Sequence, residues 1–335
     1  MVRWTEQAGG ASYGALRWSG PELVDAPGLE SWLGFAQDFN GYVHLFARRR
    51  REKADGTVAV DVVHATQYQP GKALLGWRSL GNPLKDETAT EIGVPVAAVD
   101  GTGALHVMVH RHGTGLMARH QPAGGSWTTW SSLEGRWVRD PGVLTVIGPT
   151  CRMEFLAPYR GGAVHWLQQQ PGAPYRWGSK LGVDAEPGSV AAFDSGQDRM
   201  TCLWRDASSG MLLAFRPPGA GRPPEGPFVI DPVAESGGLG PVAAQRALID
   251  GYDYTVLART RPDGTVLFAA YATGYEQAGV WWSELGGPSA AGPPALAFDA
   301  RGLLVVALVS QDGRLWTTRQ KNTGGGLSFE KWTTT

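Results

Sequence analysis

A tryptophan recurs about every 50 residues along this chain, in short segments that often read Trp-x-x-Leu. The tryptophans of this series are Trp18, Trp77, Trp130, Trp177, Trp282 and Trp332. Phe228 takes the same place once, and the successive intervals are then 59, 53, 47, 51, 54 and 50 residues. A period of this length indicates a repeat protein, in which each unit buries its apolar face against its neighbours.

Turn residues repeat with the same period and mark the ends of strands. Gly56, Gly264 and Gly313 each follow an Asp and separate two apolar runs. Asp-Gly between apolar runs predicts a tight β-hairpin, because glycine accepts the positive φ that the turn needs. An Asp also closes the first strand of several repeats, at Asp38, Asp100, Asp194 and Asp299. Each repeat therefore contains short strands joined by tight turns.

The second repeat shows how many strands one repeat holds. Its strand-like runs cover 94–100, 105–110, 116–121 and 127–133, and a longer connector at 81–93 precedes them. Three short links and one long link are typical of a propeller blade, in which the chain crosses four antiparallel strands and then returns to the centre. A β-sandwich, the rival fold, predicts no such fixed period. We therefore predict an all-β propeller of four-stranded antiparallel blades.

The repeats favour six blades, with seven as the alternative. Six full repeats cover about 29–80, 81–133, 134–181, 182–231, 232–286 and 287–335. An extra hairpin at about 1–28 contains residues 2–7, which are similar to residues 315–320 of the last repeat. This half-blade either helps to close a ring of six or belongs to a seventh, degenerate blade. The whole chain, 1–335, is expected to form a single propeller domain.

Composition excludes several functions. A formal net charge of −1 does not provide the basic surface with which a nucleic-acid-binding protein neutralises phosphates. No run approaches the roughly 18 apolar residues of a membrane span, and residues 1–7 contain no apolar leader segment. We therefore expect contact with neither nucleic acid nor membrane. The expected localisation is the cytoplasm, or release without a signal peptide.

The repeats share a longer pattern, Trp-x-x-Leu-Gly-Gly, then Pro, then an apolar strand that ends in Asp, then Gly-x-Leu-x-Val. The second repeat matches it at 77–81, 95–100 and 103–109, and the sixth at 282–287 and 294–299. This pattern resembles the repeat of the fucose-binding seven-bladed β-propeller lectins of bacteria associated with insects. The chain looks like a divergent member of that family, because the third to fifth repeats have drifted from the pattern.

The resemblance implies a carbohydrate-binding protein without catalytic activity. Lectins of this family bind sugars in shallow pockets between neighbouring blades, through aromatic stacking and a few polar hydrogen bonds, and repeated pockets add avidity. The partner implied is a sugar or another small molecule, without a cofactor; formation of a homo-oligomer is left open.

Two other functions stay open at the level of sequence. The first is an enzyme, such as a cyclase of bacterial specialised metabolism, that uses one pocket at the central mouth of the propeller. The unlike repeats favour it, since one asymmetric pocket needs a different side chain from each blade. The second is a protein-interaction scaffold.

Basic residues recur where the second strand of a repeat ends. The aligned positions are Arg48, His110, Pro158, Arg205, Arg259 and Val309. Four basic residues at one rim suit a hydroxyl-rich or anionic ligand, on which Trp77, Trp130 and Trp282 would stack. The simpler interpretations are solvated strand ends and tryptophans that pack between blades. The nearby run Arg48–Arg51, with Lys53, predicts a solvated hairpin or a surface for an acidic partner.

Polar residues also recur at one inner position of the same strand. These residues are His44, His106, Glu154, Thr201 and Thr255. Hydrogen-bonded core groups are their simpler interpretation. If the chain is an enzyme, His44, His106, Glu154 and Arg205 are the first catalytic candidates. The histidines come from different repeats and lack the local spacing of a metal site, so no metal is expected.

Overall fold

The structure of the chain is a computed structural model. It describes residues 1–7, 17–69, 72–85, 87–111, 115–133, 144–147, 150–159, 162–196, 199–219, 221–232, 238–299, 301–322 and 324–334. The chain divides into two compact units, Met1–Leu181 and Gly182–Thr335.

The first unit begins with a hairpin of β1 (Val2–Gln7) and β2 (Arg17–Leu23), followed by three blades. The first blade contains β3 (Leu29–Gln37), β4 (Val43–Glu52), β5 (Val58–Gln67) and β6 (Arg78–Gly81), and a 3₁₀ helix, η1 (Glu87–Glu91), follows it. The second contains β7 (Val96–Val99), β8 (Leu105–Arg111), β9 (Gly115–Gln121) and β10 (Ser131–Leu133). The third contains β11 (Leu144–Ile147), β12 (Met153–Tyr159), β13 (Gly162–Gln168) and β14 (Tyr175–Leu181).

The second unit contains the other three blades. The fourth blade consists of β15 (Ala191–Asp194), β16 (Met200–Arg205), β17 (Leu212–Arg216) and β18 (Glu225–Asp231). The fifth consists of β19 (Ala243–Ile249), β20 (Tyr252–Thr260), β21 (Val266–Ala272) and β22 (Ser283–Glu284), with a second 3₁₀ helix, η2 (Glu276–Ala278), before its last strand. The sixth consists of β23 (Ala295–Phe298), β24 (Leu304–Val309), β25 (Leu315–Arg319) and β26 (Thr333–Thr334).

All six sheets have the strand order of a simple meander. Neighbouring strands in each sheet are also consecutive in the chain, and every pair is antiparallel. The strands β1 and β2 form a separate two-stranded sheet, as expected for a half-blade. In the part of the chain that the structure describes, the predicted all-β architecture with six four-stranded blades is therefore confirmed.

Tight turns form where Asp and Gly recur. Between β4 and β5, Gly56 has a φ of 77° and donates its N–H to the carbonyl oxygen of Lys53 at 3.0 Å. The Asp55 carboxylate accepts the N–H of Thr57 at 2.9 Å. Only glycine adopts this positive φ without strain, so the Asp-Gly pair determines where the strand reverses.

The hydrophobic core of each unit lies between neighbouring blades. One cluster joins Phe46, Val62 and Leu80 of the first blade to Val107 and Val109 of the second. A similar cluster joins the fourth and fifth blades. Each blade is too thin to bury its own faces, so its strands depend on the neighbouring blade for their apolar contacts.

The recurring tryptophans connect one blade to the next. The indole Nε1 of Trp130 donates to the carbonyl oxygen of Leu80 in the preceding blade at 3.0 Å. Trp282 donates in the same way to Asp231 at 2.7 Å, and Trp332 donates to Leu285 at 3.2 Å. These three tryptophans therefore contact the preceding blade, in agreement with the simpler interpretation of the tryptophan repeat.

Candidate functional site

A large open cleft lies between the first and second blades and is the candidate site. Its volume is about 710 Å³. The first blade contributes Asp38, Phe39, Tyr42, His44, His64, Thr66, Tyr68 and Arg78, and the second contributes Thr102, Gln121 and Trp127. We call this feature the interblade cleft. Its mixture of aromatic walls and a few polar groups is typical of a small-molecule site.

Two histidines form the floor of the interblade cleft. Nδ1 of His44, on β4, lies 3.1 Å from Nε2 of His64 on β5, so one ring donates to the other. The hydroxyl of Thr66 lies within 3.4 Å of both rings. On its other edge His44 faces the Asp38 carboxylate at 3.7 Å. The antiparallel register of β4 and β5 brings these side chains to one face of the blade.

Aromatic rings surround this floor. Trp127 contacts His64 edge-on, with ring centroids 5.6 Å apart, and its ring lies 5.9 Å from the Arg119 guanidinium. Tyr42 and Tyr68 form an edge-on pair at 4.8 Å on the opposite wall. Phe39 and Tyr68 are largely exposed, at 68% and 48%. The cleft therefore presents apolar ring surfaces beside hydrogen-bonding groups.

The histidine floor is neutral near pH 7. Burial, and then the interactions with His44 and with the positive charge of Arg78, lower the pKa of His64 to about 4. Burial also lowers the pKa of His44, although Asp38 acts in the opposite direction. A neutral pair can share one N–H between the two rings, whereas a doubly charged pair cannot.

We expect the protein to lose about 2 kcal/mol of stability between pH 7 and pH 5, given a folded-state pKa of about 4 for His64 against an ordinary value of 6.5. The folded-state pKa is lowered, so the stabilisation is present above pH 6.5 and decreases as the pH falls towards 4. Urea unfolding at several pH values measures this change. The His64→Gln variant should show a flatter profile, and a wild-type profile that is flat between pH 7 and pH 5 would contradict the assignment.

Asp38 distinguishes the interblade cleft from the next interface. Asp38 and Asp100 both close the first strand of their blade, and each accepts backbone N–H groups of its own turn. One carboxylate oxygen of Asp38, Oδ1, accepts these turn N–H groups, and we call the other, Oδ2, the outer oxygen. Within the described residues, only Asn40 at 3.4 Å and His44 at 3.7 Å lie near the outer oxygen of Asp38. Its side chain is 18% exposed to the cleft, whereas that of Asp100 is fully buried.

At Asp100, groups of the third blade donate hydrogen bonds to the outer oxygen of the carboxylate. Its Gln168 side chain and its Gly172 backbone each donate to the outer oxygen of Asp100 at 3.1 Å. His106 lies 3.0 Å from the same oxygen, and the hydroxyl of Tyr175 lies 2.7 Å from the other edge of His106. Burial alone would raise the pKa of Asp100, but these donors and Thr102 hold it well below its usual range.

Turn carboxylates of the second unit are also occupied by protein groups. Asp194 lies 3.6 Å from Arg246, and Asp250 accepts the backbone N–H of Gly326 at 2.9 Å. Asp299 pairs with Arg319 at 2.8 Å. Among the turn carboxylates in the described part of the chain, Asp38 is therefore the one that faces a cleft of this size.

The inner polar residues predicted for an enzyme do not come together. His44 pairs with His64 in the first blade, His106 with Asp100 in the second, and Glu154 with His165 at 2.9 Å in the third. A separate groove of about 470 Å³ lies along β3 and β7, and most of its lining residues are apolar. His44, His106 and Glu154 do not line this groove. His106 and Glu154 are hydrogen-bonded core groups, whereas His44 lies on the floor of the interblade cleft. The catalytic roles proposed for all three and for Arg205 stay predictions.

Three of the four basic residues at the strand ends are buried and Arg48 is partly buried, so the interpretation as solvated strand ends is wrong for those three. His110, Arg205 and Arg259 are 3%, 3% and 7% exposed. Arg205 pairs with Glu186 at 2.7 Å and donates to the carbonyl oxygen of Gly238, in the connector to the fifth blade, at 3.0 Å. Arg48 likewise donates to the Ile92 carbonyl at 2.6 Å. The structure does not place these residues in the interblade cleft, and their assignment to ligand binding stays a prediction, as it does for Trp77, Trp130 and Trp282.

A glutamine at the end of the third strand was not singled out by the sequence analysis. Gln67, Gln121 and Gln168 each donate to a carbonyl oxygen of the following turn, at 2.7, 2.8 and 3.1 Å. Gln121 lines the interblade cleft, whereas Gln168 also reaches Asp100. Their recurrence at one strand end was visible in the sequence, but an isolated Gln carries little information about function.

No helix in the described ranges is long and apolar enough to cross a membrane. No group of three or more His, Cys, Asp and Glu side chains in this part of the chain could hold a metal ion.

The chain is similar in fold to several solved β-propellers. The BP39L lectin from Burkholderia pseudomallei has 14% sequence identity and a TM-score of 0.66, with 90% of this chain and 84% of that chain covered. The Aleuria aurantia lectin in complex with Fucα1-6GlcNAc has 10% identity and a TM-score of 0.55, with 92% and 97% covered. A Hadza microbial sialidase, Hz136, has 13% identity and a TM-score of 0.52, with 90% and 65% covered.

These likenesses confirm the predicted β-propeller fold. At such low identity they show the fold alone, and lectins and a sialidase share it. No protein-family model and no curated protein matches the sequence.

Proposed function

We propose that the protein binds a neutral saccharide in the interblade cleft. The observation that supports the proposal is the exposure of Asp38, whose outer oxygen faces the cleft. The outer oxygen of the corresponding Asp100 instead accepts hydrogen bonds from Gln168 and Gly172 of the next blade. A sugar hydroxyl would donate to Asp38 as Gln168 donates to Asp100. Hydrogen bonds to a carboxylate are stronger than those between neutral groups.

The walls of the cleft suit the other surfaces of a sugar. Arg78 and Gln121 supply donors at the rim, and His44 and His64 supply one acceptor or donor at the floor. The apolar face of a pyranose would lie against Trp127 or Tyr68. A volume of 710 Å³ is within the usual range for small-molecule pockets.

The structural neighbours suggest which sugar to test first. The Aleuria aurantia lectin was solved with α-methyl-L-fucoside and with Fucα1-6GlcNAc, and the SapL1 lectin was solved with α-methyl fucoside. The predicted resemblance to fucose-binding lectins leads to the same ligand. We therefore infer that α-methyl-L-fucoside is the first candidate.

Calorimetric titration with α-methyl-L-fucoside, preceded by a glycan array, tests the proposal. The first and second blades form an open cleft and the second and third do not, so we expect binding at the interblade cleft with one site per chain in the first unit. If the folded protein binds no neutral saccharide on the array, the proposal is wrong. If a variant whose interblade cleft is obstructed by a substitution still binds the saccharide, the binding site lies elsewhere.

Asp38→Asn should weaken saccharide binding about tenfold, the effect of removing the charge from one hydrogen-bond acceptor. Asn preserves the turn, because its side-chain oxygen also accepts backbone N–H groups two and four residues on. The matched control is Asp100→Asn, at the filled interface. It should lower stability and leave the affinity unchanged, and equal affinities for the wild type and Asp38→Asn would contradict the role of Asp38.

A further inference from the structure

The turns that contain Asp38 and Asp100 have the same backbone arrangement but differ in one side chain. Residues 38–41 follow β3, and residues 100–103 follow β7. In both turns the fourth residue, a Gly, donates its N–H to the carbonyl oxygen of the Asp at 2.9 Å. The residue directly after the Asp is Phe39 in the first blade and Gly101 in the second. This difference falls where each blade meets the next one.

The glycine at position 101 allows the third blade to close onto the second. Gly101 donates its N–H to the carbonyl oxygen of Cys151 in the third blade at 2.8 Å. A Cβ atom on Gly101 would overlap the Cβ of Cys151 and would lie 3.1 Å from that of Pro171. The close approach brings Gly172, which follows Pro171, to the outer oxygen of Asp100. A side chain at position 101 would therefore force the two blades apart, because packed atoms leave it no space.

Phe39 occupies the matching position at the mouth of the interblade cleft. Its ring reaches the second blade, where Cδ2 lies 4.0 Å from the place that a Cβ atom on Gly103 would take. Gly103 corresponds to Cys151, since each lies two residues before the second strand of its blade. Within the described residues, Phe39 makes no backbone hydrogen bond to Gly103 of the kind that joins Gly101 to Cys151. The ring thus stands between two turns whose counterparts touch directly at the next interface.

The turn that closes onto Asp100 has an open counterpart in the second blade. Residues 122–125 and 170–173 each form a turn after the third strand, and the last residue donates its N–H to the carbonyl oxygen of the first, at 2.9 and 3.0 Å. A Cβ atom on Gly172 would lie 2.9 Å from Cγ2 of Thr102 in the neighbouring blade. One on Gly124, in the same place of its turn, would have no atom within 4 Å beyond its chain neighbours. Turn 122–125 is therefore held away from the first blade.

Other repeats have a small residue where the first has Phe39. The residues that follow Asp100, Asp194 and Asp299 are Gly101, Ser195 and Ala300. Ser195 is 7% exposed, whereas Phe39 is 68% exposed and lines the cleft. The one bulky residue at this position in the four repeats thus lies at the interface that is open.

We propose that Phe39 is the positioning residue of the interblade cleft, because its ring keeps turn 122–125 off the first blade and leaves the outer oxygen of Asp38 open to a ligand hydroxyl. The part that concerns the ligand rests on the function proposed above. Without the ring, the N–H of Gly124 would reach Asp38 as the N–H of Gly172 reaches Asp100 at 3.1 Å. The backbone of the protein and a saccharide therefore compete for the same oxygen.

Phe39→Gly tests this role through the amide of Gly124, in the ligand-free full chain near pH 7. Exchange of glycine amides with water, measured in ¹H–¹⁵N spectra, should be at least about tenfold slower at Gly124 in Phe39→Gly than in the wild type, because the amide becomes hydrogen-bonded. The amide of Gly172 is the internal reference and should exchange slowly in both proteins. Phe39→Tyr retains the ring and should resemble the wild type. Unchanged exchange at Gly124 in Phe39→Gly would contradict the proposal.

Calorimetry with α-methyl-L-fucoside, or with the best ligand from the array, gives the second measurement. Phe39→Gly should bind at least about tenfold more weakly, since a backbone donor then occupies the carboxylate of Asp38. Phe39→Tyr should restore the affinity of the wild type. The matched control is Tyr275→Gly, the same kind of exchange at an exposed residue of the fifth blade, which should bind like the wild type.

The two measurements separate the role of Phe39 from the proposed function. If Phe39→Gly loses affinity while exchange at Gly124 stays fast, Phe39 is a ligand contact and the positioning role is wrong. If the wild type binds no saccharide, the proposed function is wrong, and exchange at Gly124 still decides whether Phe39 holds the cleft open.

Discussion

Replacing Arg216 by methionine should lower the free energy of unfolding by about 3–5 kcal/mol, the usual cost of removing one partner of a buried ion pair. Arg216 ends the third strand of the fourth blade and pairs with Glu225 at 2.6 Å and with Glu276 of the fifth blade. Glu276 is fully buried. Without Arg216 its carboxylate would remain in the interior with no counter-charge.

Urea unfolding of the purified protein measures the Arg216→Met effect. The matched control is Arg314→Met, since Arg314 pairs with Asp312 at 3.3 Å on the surface, with both side chains more than half exposed. That variant should change stability by less than about 0.5 kcal/mol. Adding Glu276→Gln to Arg216→Met should recover part of the loss. A loss below about 1 kcal/mol for Arg216→Met would mean that the pair is screened by water.

The fold was predictable because its signals are local and repeated. Trp130, Trp282 and Trp332 recur at the blade period, and each connects its strand to the preceding blade. The Asp-Gly turns at Gly56 and Gly264 are equally local, since the positive φ needs glycine wherever it occurs. If one repeat were assigned wrongly, its spacing would differ from that of the other repeats. The period therefore strongly constrained the assignment of strands to blades.

The candidate site was not predictable, because it depends on contacts between blades. Asp38 and Asp100 occupy the same place in their repeats, and sequence alone treats them alike. They differ because Gln168 reaches across to Asp100, whereas Gln121 donates within its own turn to Gly125. One interface is thereby filled and the other is left open. No single-sequence signal distinguishes these two glutamines.

Residue type was a poor guide at the strand ends. Arginine at a rim suggests a solvated or ligand-binding group, yet Arg205 and Arg259 are nearly fully buried. Each has a carboxylate partner, Glu186 or Asp231, which comes from a different part of the sequence. A buried arginine needs such a partner, and the sequence does not show which carboxylate lies beside it.

Trp127→Ala should abolish saccharide binding in the interblade cleft, with a loss of at least about 30-fold, which corresponds to 2 kcal/mol or more for a central aromatic residue. Trp127 forms the second-blade wall of the cleft and contacts His64 of the floor. Its removal would take away both the stacking surface and the packing that holds the histidine pair. Calorimetry with α-methyl-L-fucoside, or with the best ligand from the array, measures the loss.

Trp130→Ala separates binding from folding in this experiment. Trp130 lies three residues further along the same blade and donates to Leu80, but it does not line the cleft. Both tryptophans are half-buried and should cost similar stability when truncated, in the range of about 1–4 kcal/mol. If the cleft is the site, only Trp127→Ala loses affinity while both variants remain folded. Equal losses in the two variants would instead indicate that binding depends on the general packing of the second blade.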